Sequence, residues 1–304
     1  MNTMAEAIAQ GTAVPPEVAG PLLESGSLLE DAAQLRRQLA ADGYLFLKGV
    51  VDRETVMAAR REVFERLEEV GEILPPAQEG IASGSSRRGE QESDLGAFWR
   101  SVSQGARLRA ASHGDQMQAV MDLVLGEPAQ AHDYIFLRPG AVGRSTSLHY
   151  DYPFFSRGSD RVHTAWLALG DIPLEDGPLM VLEGSNRYAD LIEQARRVDY
   201  DSNDTATVQV LADTVEFARQ RGGRLLMSPV EAGDLIVFDM FTMHGSLDNH
   251  SPLGRVRLSC DVRWQPAADP VDPRYRGDHP PGTTGAGYGE LNGAKPLDLP
   301  WHVR

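Results

Sequence analysis

The first 125 residues of the chain carry apolar residues at the spacing of helices. Three such stripes are present, at 28–39, 56–70 and 117–125, and each is followed by a glycine where a helix can end. The second stripe comes after Asp52, a residue type that favours the N-cap position. Between the first two stripes, 44–48 has the composition of a short strand. This part of the chain therefore predicts amphipathic helices with one early strand.

From residue 131 onward the pattern changes to an alternation of apolar and polar residues, which is typical of strands. Many short strands after a helical N-terminal third indicate a mainly β, α+β fold. We predict a double-stranded β-helix of the jelly-roll or cupin type, with the N-terminal helices packed on one outer face. The predicted strands of this part span 132–138, 147–151, 162–169, 178–182, 224–228, 234–241 and 255–264.

The predicted elements divide the chain into one domain and two flanking segments. Residues 28–266 form the domain, with insertions at about 71–114 and 186–221. Residues 1–27 lack a clear period and are predicted to be a weakly ordered arm. Residues 267–304, rich in Pro and Gly, are predicted to be an extended tail. The insertion at 71–114 either covers a site or forms a mobile surface loop, and the pattern does not choose between them.

Composition excludes some classes of function. The 304 residues carry a formal net charge of −15, which argues against a nucleic-acid-binding surface. No stretch approaches the length of an apolar membrane span. Cys260 is the only cysteine, so no intrachain disulfide is possible. We therefore expect a cytoplasmic protein without a nucleic-acid or membrane partner, and composition leaves its oligomeric state open.

Two histidines and an aspartate indicate metal chemistry. His149 and Asp151 are alternate residues of the predicted strand 147–151, so both side chains leave the same face of it. His244, in a distant segment, can add a second imidazole. Two imidazoles and one carboxylate make the facial triad that suits non-haem Fe(II), and they leave coordination positions open for O2 and a chelating co-substrate. We therefore predict an iron site at these three residues.

Arginines on the last predicted strand offer an anchor for a carboxylate. Arg255 and Arg257 both lie on the polar face of 255–264, and apolar residues occupy the other face. A guanidinium can hold a carboxylate through two parallel hydrogen bonds, and it keeps its charge. We choose Arg255 as the anchor, although periodicity alone neither separates it from Arg257 nor shows which face turns inward. An exposed arginine-rich strand is the alternative.

Several ordered segments give the chain a resemblance to a known family. They are DGYLFLKGVVDRETV, the HYD triplet, TAWLALGDIPLEDGPLMVLEGSNR, AGDLIVFDMFTMHGSLDN and RVRLSCDVRWQP. Over about residues 35–70 and 130–266, the chain resembles the phytanoyl-CoA dioxygenase family of Fe(II)/2-oxoglutarate-dependent oxygenases. The triplet alone is common, but its combination with GPLMVLEGS, MHGS and an arginine followed by RLS is specific.

The resemblance implies cofactors and a reaction. It implies that His149, Asp151 and His244 bind Fe(II) and that Arg255 pairs with the distal carboxylate of 2-oxoglutarate. The family's reaction uses O2, releases succinate and CO2, and abstracts hydrogen from the substrate. Hydroxylation is the commonest result, while desaturation, epoxidation and ring rearrangement use the same ligands. Related halogenases lack a carboxylate at the position of Asp151, so its presence excludes that branch.

The resemblance also implies contacts with the co-substrate. Ser246 and Trp166 match positions that lie close to 2-oxoglutarate in the family. Tyr134 is a further candidate, because its hydroxyl can donate a hydrogen bond to a carboxylate, and a core aromatic is its equal alternative.

The substrate is the least defined part of this hypothesis. A family named for an acyl-CoA substrate does not make CoA the partner, and the chain shows no evident basic cradle for its phosphates. We expect a small-molecule substrate and favour a natural product. Two other functions stay open, a non-catalytic cupin-like metal- or ligand-binding protein and a metal-assisted isomerase or hydrolase on the same fold. Formation of succinate separates them from an oxygenase.

Overall fold

Two β-sheets enclose the interior of the protein in the computed structural model, which describes residues 7–91, 95–200, 202, 213–278, 280–282 and 297. The strands are β1 (Ile8–Ala9), β2 (Thr12–Ala13), β3 (Ala19–Gly20), β4 (Tyr44–Leu47), β5 (Ala129–Gly140), β6 (His163–Ala168), β7 (Leu179–Leu182), β8 (Leu225–Leu226), β9 (Leu235–Asp239), β10 (His244–Ser246) and β11 (Arg257–Pro266). The larger sheet has the order β4–β9–β6–β11–β5, the smaller has the order β10–β7–β8–β3, and β1 pairs with β2. Trp166 and Phe238 of the larger sheet share an apolar cluster with Val181 and Leu226 of the smaller one, so the two sheets face each other.

Helices that come before β5 in the chain cover the other face of the larger sheet. They are α1 (Ala32–Asp42), α2 (Arg53–Glu69), α3 (Arg88–Gln91), α4 (Leu95–Ser103), α5 (Ala106–His113) and α6 (Asp115–Leu125). Two later helices, α7 (Ala189–Ala195) and α8 (Thr214–Arg221), pack with strands of the smaller sheet. As the sequence predicts, the carboxylate of Asp52 caps α2 by accepting a hydrogen bond from the backbone N–H of Thr55. Val63 of α2 and Met121 of α6 pack with Leu167 and Leu258 of the sheet. The predicted α+β, cupin-like fold with helices on one outer face is confirmed. Within the described ranges, no helix has both the length and the apolar character that crossing a bilayer requires.

Strand β11 presents different chemistry to each side of the larger sheet. It lies between β5 and β6, with Asp261 opposite Phe136 on one side and opposite Trp166 on the other. Leu258 and Cys260 point outward and are buried in the cluster that contains the helices. The alternate residues therefore point into the space between the sheets, and these are the polar ones, Arg257, Ser259, Asp261 and Arg263. The structure thus answers the question that periodicity leaves open, because the polar face turns inward.

Residues 7–27 differ from the weakly ordered arm that we expected for 1–27. Ala19 of β3 pairs in parallel with Leu225, and Val18 and Leu22 are buried. The turn after β1 also binds a loop near the end of β10, because the carboxylate of Asp248 accepts hydrogen bonds from the backbone N–H groups of Gln10 and Gly11. These contacts are with distant parts of the chain, so no local period marks them. Residues 1–6 lie outside the described residues.

The insertions contain more regular structure than their sequences suggest. Residues 71–114 include α3, α4 and α5, and the buried side chains of Glu72 and Arg88 form an ion pair of 2.8 Å within this segment. Residues 186–221 include α7 and α8, and 201 and 203–212 lie outside the described residues. In the predicted tail, the buried Tyr275 donates a hydrogen bond to the backbone carbonyl of Phe154, whereas most of 283–304 is not described. The domain boundaries themselves stay a prediction.

Candidate active site

The two histidines of the predicted metal site are brought together by backbone pairing. His149 and His244 form an antiparallel bridge, with N···O distances of 2.9 and 3.1 Å between their backbone groups. Their ring centroids are 4.4 Å apart. Gly245 permits this close approach, because a Cβ atom there would lie 2.5 Å from the backbone oxygen of Thr146. The pairing places two imidazoles side by side on one wall of the interior.

Both imidazoles point a nitrogen lone pair at the same place. The Nδ1 atom of His149 lies 2.8 Å from the carbonyl oxygen of Ser147, and that of His244 lies 3.0 Å from the carbonyl oxygen of Thr242. A carbonyl only accepts hydrogen bonds, so each Nδ1 carries the proton and each Nε2 is a free donor to a metal. Burial, and then the neighbouring His149, lowers the pKa of His244 to about 3, which keeps its ring neutral.

Asp151 supplies the third ligand atom, but not from the strand that the sequence predicts. Its backbone is helical, with φ −76° and ψ −23°, and it precedes the 3-10 turn Tyr152–Phe154. Strand alternation therefore does not explain why His149 and Asp151 meet. The Oδ1 atom of Asp151 nevertheless lies 3.7 Å from Nε2 of His149 and 3.9 Å from Nε2 of His244. The ligand atoms of all three residues lie within 4.8 Å of one another, and all three residues are buried.

The second oxygen of Asp151 is occupied by other side chains. Oδ2 accepts hydrogen bonds from Oγ1 of Thr164 at 2.5 Å and from Nη2 of Arg263 at 2.7 Å. Burial alone would raise the pKa of Asp151, but Arg263 and the two histidines outweigh it and hold that pKa well below its usual range. The site therefore offers two imidazole nitrogens and one ionised oxygen, the donor set of a non-haem Fe(II) facial triad.

A pocket beside the two histidines contains a buried arginine, Arg257. Its Nη1 atom donates to Oγ of Ser259 at 2.7 Å, whereas its Nε atom is buried without a hydrogen-bond partner. Burial lowers the pKa of Arg257 to about 10, so the guanidinium still carries its charge at neutral pH. Arg257 forms no ion pair with any of the described residues. The pocket therefore contains a cation that lacks a counter-charge in contact with it.

Arg255, our choice from the sequence, does not line the pocket beside the triad. Its guanidinium binds both carboxylate oxygens of Asp176, at 2.7 and 3.2 Å, and lines a different cavity of about 610 Å³ with Arg60. The reason is that Arg255 precedes β11 and is paired with Ile81 of the insertion. Two residues later, at Arg257, the chain has joined β5 and the side chain faces the triad.

Of the three further co-substrate contacts that the resemblance implies, two line the pocket beside the triad and one does not. Trp166 and Ser246 line the pocket with Arg257. Tyr134 does not line it. Its ring packs 4.6 Å from that of Phe136 and lines a separate pocket with Trp99. This packing is what the alternative for Tyr134, a core aromatic, predicts.

Three polar residues at the site did not emerge from the sequence as functional residues. Thr164 and Arg263 bind Asp151, and Arg138 lines the pocket with its Nε atom 3.0 Å from the carboxylate of Asp261. The sequence pattern could have indicated Arg263, because it lies on the same polar face of β11 as Arg257. No such pattern indicates Thr164 or Arg138, since their partners are distant in sequence.

Comparisons with known proteins agree with the geometry. The family model described as Phytanoyl-CoA dioxygenase (PhyH) matches residues 39–256. Over 254 residues, the chain is 29% identical to 1-deoxypentalenic acid 11-beta-hydroxylase of Streptomyces exfoliatus, covering 79% of this chain and 83% of that protein. It is 27% identical over 254 residues to the protein of the same name from Streptomyces arenae, covering 79% of this chain and 83% of the relative.

Solved structures share the fold at low sequence identity. The apoform of EctD from S. alaskensis aligns with a TM-score of 0.54 and 16% identity, covering 95% of this chain and 93% of that one. The non-heme alpha ketoglutarate dependent carbocyclase SnoK from nogalamycin biosynthesis aligns with a TM-score of 0.51 and 20% identity, covering 84% of this chain and 90% of that one. At these identities the likeness is one of fold.

Proposed function

Because the chain belongs to the phytanoyl-CoA dioxygenase family and is therefore an Fe(II)/2-oxoglutarate-dependent oxygenase, we propose that it hydroxylates a small natural-product molecule. The observation that carries the proposal is the buried triad of His149, Asp151 and His244 next to the unpaired cation of Arg257. One group suits a metal ion and the other suits an anion beside it. An oxygenase that consumes 2-oxoglutarate needs both.

In this proposal His149, Asp151 and His244 bind Fe(II). Their donor set fits this ion, because both imidazoles have a free Nε2 atom and the carboxylate is ionised. Bound Fe(II) supplies the activation of O2 that is coupled to conversion of 2-oxoglutarate into succinate and CO2. The protein's own part is to hold the three donors together beside the pocket that Arg257 lines.

We infer that Arg257, and not Arg255, binds the distal carboxylate of 2-oxoglutarate. A buried guanidinium without a counter-ion is costly, and a carboxylate would both neutralise it and accept from its unpaired Nε atom. Ser246 and Trp166 line the same pocket and would contact the rest of the co-substrate. Arg255 is already neutralised by Asp176.

Aromatic residues near the triad support an apolar substrate. The ring of Phe154 stands edge-on to that of His149, with centroids 6.1 Å apart, and the ring of Tyr200 packs 4.5 Å from Phe154. The stacked pair Tyr152 and Phe241 belongs to the same cluster. Aromatic packing of this kind beside the triad would suit a hydrocarbon skeleton better than a nucleotide or a sugar. The two curated relatives are named as hydroxylases of 1-deoxypentalenic acid, a small molecule, which agrees with this substrate class.

The test of the proposed function is spectroscopic and needs no substrate. Fe(II)-loaded protein mixed with 2-oxoglutarate without oxygen should develop a weak visible charge-transfer band, and His149→Ala should abolish it. After admission of O2, the wild-type protein should release succinate slowly. If the wild-type protein gives neither the band nor succinate, the oxygenase proposal fails, and a binding protein or a metal-assisted isomerase or hydrolase becomes the better interpretation.

A further inference from the structure

Arg263 is buried between the sheets, where its guanidinium forms an ion pair with the proposed metal ligand Asp151. Its side chain is 1% exposed, and Nη2 donates to Oδ2 of Asp151 at 2.7 Å. Its Nη1 atom lies 3.6 Å from the carboxylate of Asp261. Arg263 is on β11 and Asp151 is in a turn 112 residues away, so this contact joins two distant segments of the chain. The reaction proposed above assigns Arg263 no role.

The position of the Arg263 guanidinium is fixed by two aromatic rings. Its central carbon lies 4.2 Å from the ring centroid of Phe136 and 4.6 Å from that of Phe155. These two rings are edge to face, with centroids 5.8 Å apart. Cation–π contact with both rings restrains the guanidinium. The donor that reaches Asp151 is therefore held in one direction.

Thr164 completes the restraint of Asp151 from the neighbouring strand. It lies opposite Arg263 in the β6–β11 ladder, and its Oγ1 atom is 2.5 Å from the same Oδ2 atom. Two donors thus occupy Oδ2, while Oδ1 faces Nε2 of both histidines. The two oxygens of one carboxylate have different environments.

We propose that Arg263 is a positioning residue that, with Thr164, restricts Asp151 to binding the metal through Oδ1 alone. The inference rests on the proposed function, since it takes His149, Asp151 and His244 as the metal ligands. A metal with three single-atom ligands from the protein keeps three positions open, two for a chelating co-substrate and one for O2. A carboxylate that bound through both oxygens would remove one of those positions. Arg263 therefore preserves the place at which O2 reacts.

The experiment measures metal binding, independently of turnover. Anaerobic Co(II), used as a spectroscopic stand-in for Fe(II), is titrated into the full-length protein and followed by calorimetry and visible absorption. Arg263→Met keeps bulk without charge, and we expect it to weaken Co(II) binding about 10- to 100-fold, the usual effect of losing a partner of a metal ligand. Its Co(II) bands should also change in position and intensity, because a second carboxylate oxygen would replace a water ligand of the metal. Arg263→Lys should recover part of the affinity.

Two further variants separate this role from a general effect on folding. Thr164→Val conserves shape and removes one donor to Oδ2, so Co(II) affinity should fall about tenfold with the same change in the bands. It also carries the test if Arg263→Met does not fold. Arg197→Met removes an exposed arginine that is paired with Glu193, and it should bind Co(II) as the wild type does.

The possible results distinguish failure of the positioning role from failure of the proposed oxygenase function. Wild-type affinity and wild-type bands in a folded Arg263→Met protein and in Thr164→Val would overturn the positioning role and leave the oxygenase proposal standing. Weaker binding with unchanged bands in both variants would also overturn it, because Arg263 would then supply only charge. Failure of the wild-type protein to bind Co(II) or Fe(II) would overturn the proposed function itself.

Discussion

The two faces of β11 use the same backbone for opposite purposes. Leu258, Cys260 and Val262 point outward and are fully buried among the helices, where they contribute apolar packing. Arg257 and Arg263 point inward and are also buried, but they carry charge that packing does not need. A strand buried on both sides normally reads as a continuous apolar run. The buried charges on this face therefore indicate a functional role, because apolar residues there would stabilise the fold better.

The largest effect should come from the inward face. Arg257→Ala should weaken 2-oxoglutarate binding to the Fe(II) protein by at least about 100-fold, because losing one partner of a buried ion pair costs about 3–5 kcal/mol. Anaerobic titration of the charge-transfer band measures this. Arg255→Ala is the matched control and should bind 2-oxoglutarate normally, since that side chain pairs with Asp176. Equal losses in both variants would mean that Arg257 is not the specific anchor.

The outward face should show the reverse, a loss of stability without a loss of co-substrate binding. Leu258 is 0% exposed, and Leu258→Ala should lower the free energy of unfolding by about 3 kcal/mol through lost apolar contact and a cavity. Urea denaturation measures the change. The folded variant should titrate with 2-oxoglutarate as the wild type does. A changed affinity would show that the two faces are not independent.

Lowering the pH should reduce the free energy of unfolding, because a buried histidine stays neutral in the folded protein. Burial lowers the pKa of His132 in β5 to about 4, against about 6.5 when unfolded, so the unfolded chain takes up the proton first. Stability from this group is present above pH 6.5 and is lost as pH falls towards 4. From pH 7.5 to 5 the loss should be about 2 kcal/mol.

The variant His132→Phe makes this acid loss specific. It keeps a ring between Phe155 and Tyr275 and has no titrating group, so its free energy of unfolding should fall less over the same pH range. Urea denaturation at several pH values compares the two proteins. Identical pH slopes would show that His132 is not the responsible group.

The smallest effect is expected at Cys260 on the outward face. Burial raises the pKa of its thiol, so in the folded protein it should not react with a thiol reagent at neutral pH. Cys260→Ala removes a single sulfur and should cost about 1 kcal/mol of stability, with unchanged co-substrate binding. Rapid labelling of the native protein would mean that the packing around β11 opens.

Most of the fold follows from the sequence because its elements have strong local patterns. The stripes at 28–39 and 56–70 and the alternation along 255–264 each mark an element by spacing alone. The segment 7–27 has no such pattern, and β3 within it pairs with a strand more than 200 residues away, as Ala19 and Leu225 show. Local spacing cannot contain that information.

The site was predicted by residue type more than by geometry. His149, Asp151 and His244 do come together, yet Asp151 reaches the triad from a helical turn and not from a strand. Arg255 and Arg257 are two residues apart, so the sequence pattern assigns them to the same strand face. Their different positions follow from the point at which β11 joins the sheet, which is Arg257. The pairing of Gly80 with Val256 sets that point, and it is a contact between distant segments.

The turn between β1 and β2 limits how far the N-terminus of this protein can be truncated. Besides the contacts with Asp248, the side-chain amide of Gln10 lies 2.7 Å from Oγ of Ser145 and 3.2 Å from Oγ of Ser147. This one turn thus ties together the segments that lead into His149 and away from His244. An expression boundary drawn at the first long helix would cut it off. Shortened or tagged versions should therefore keep the chain intact from at least residue 7.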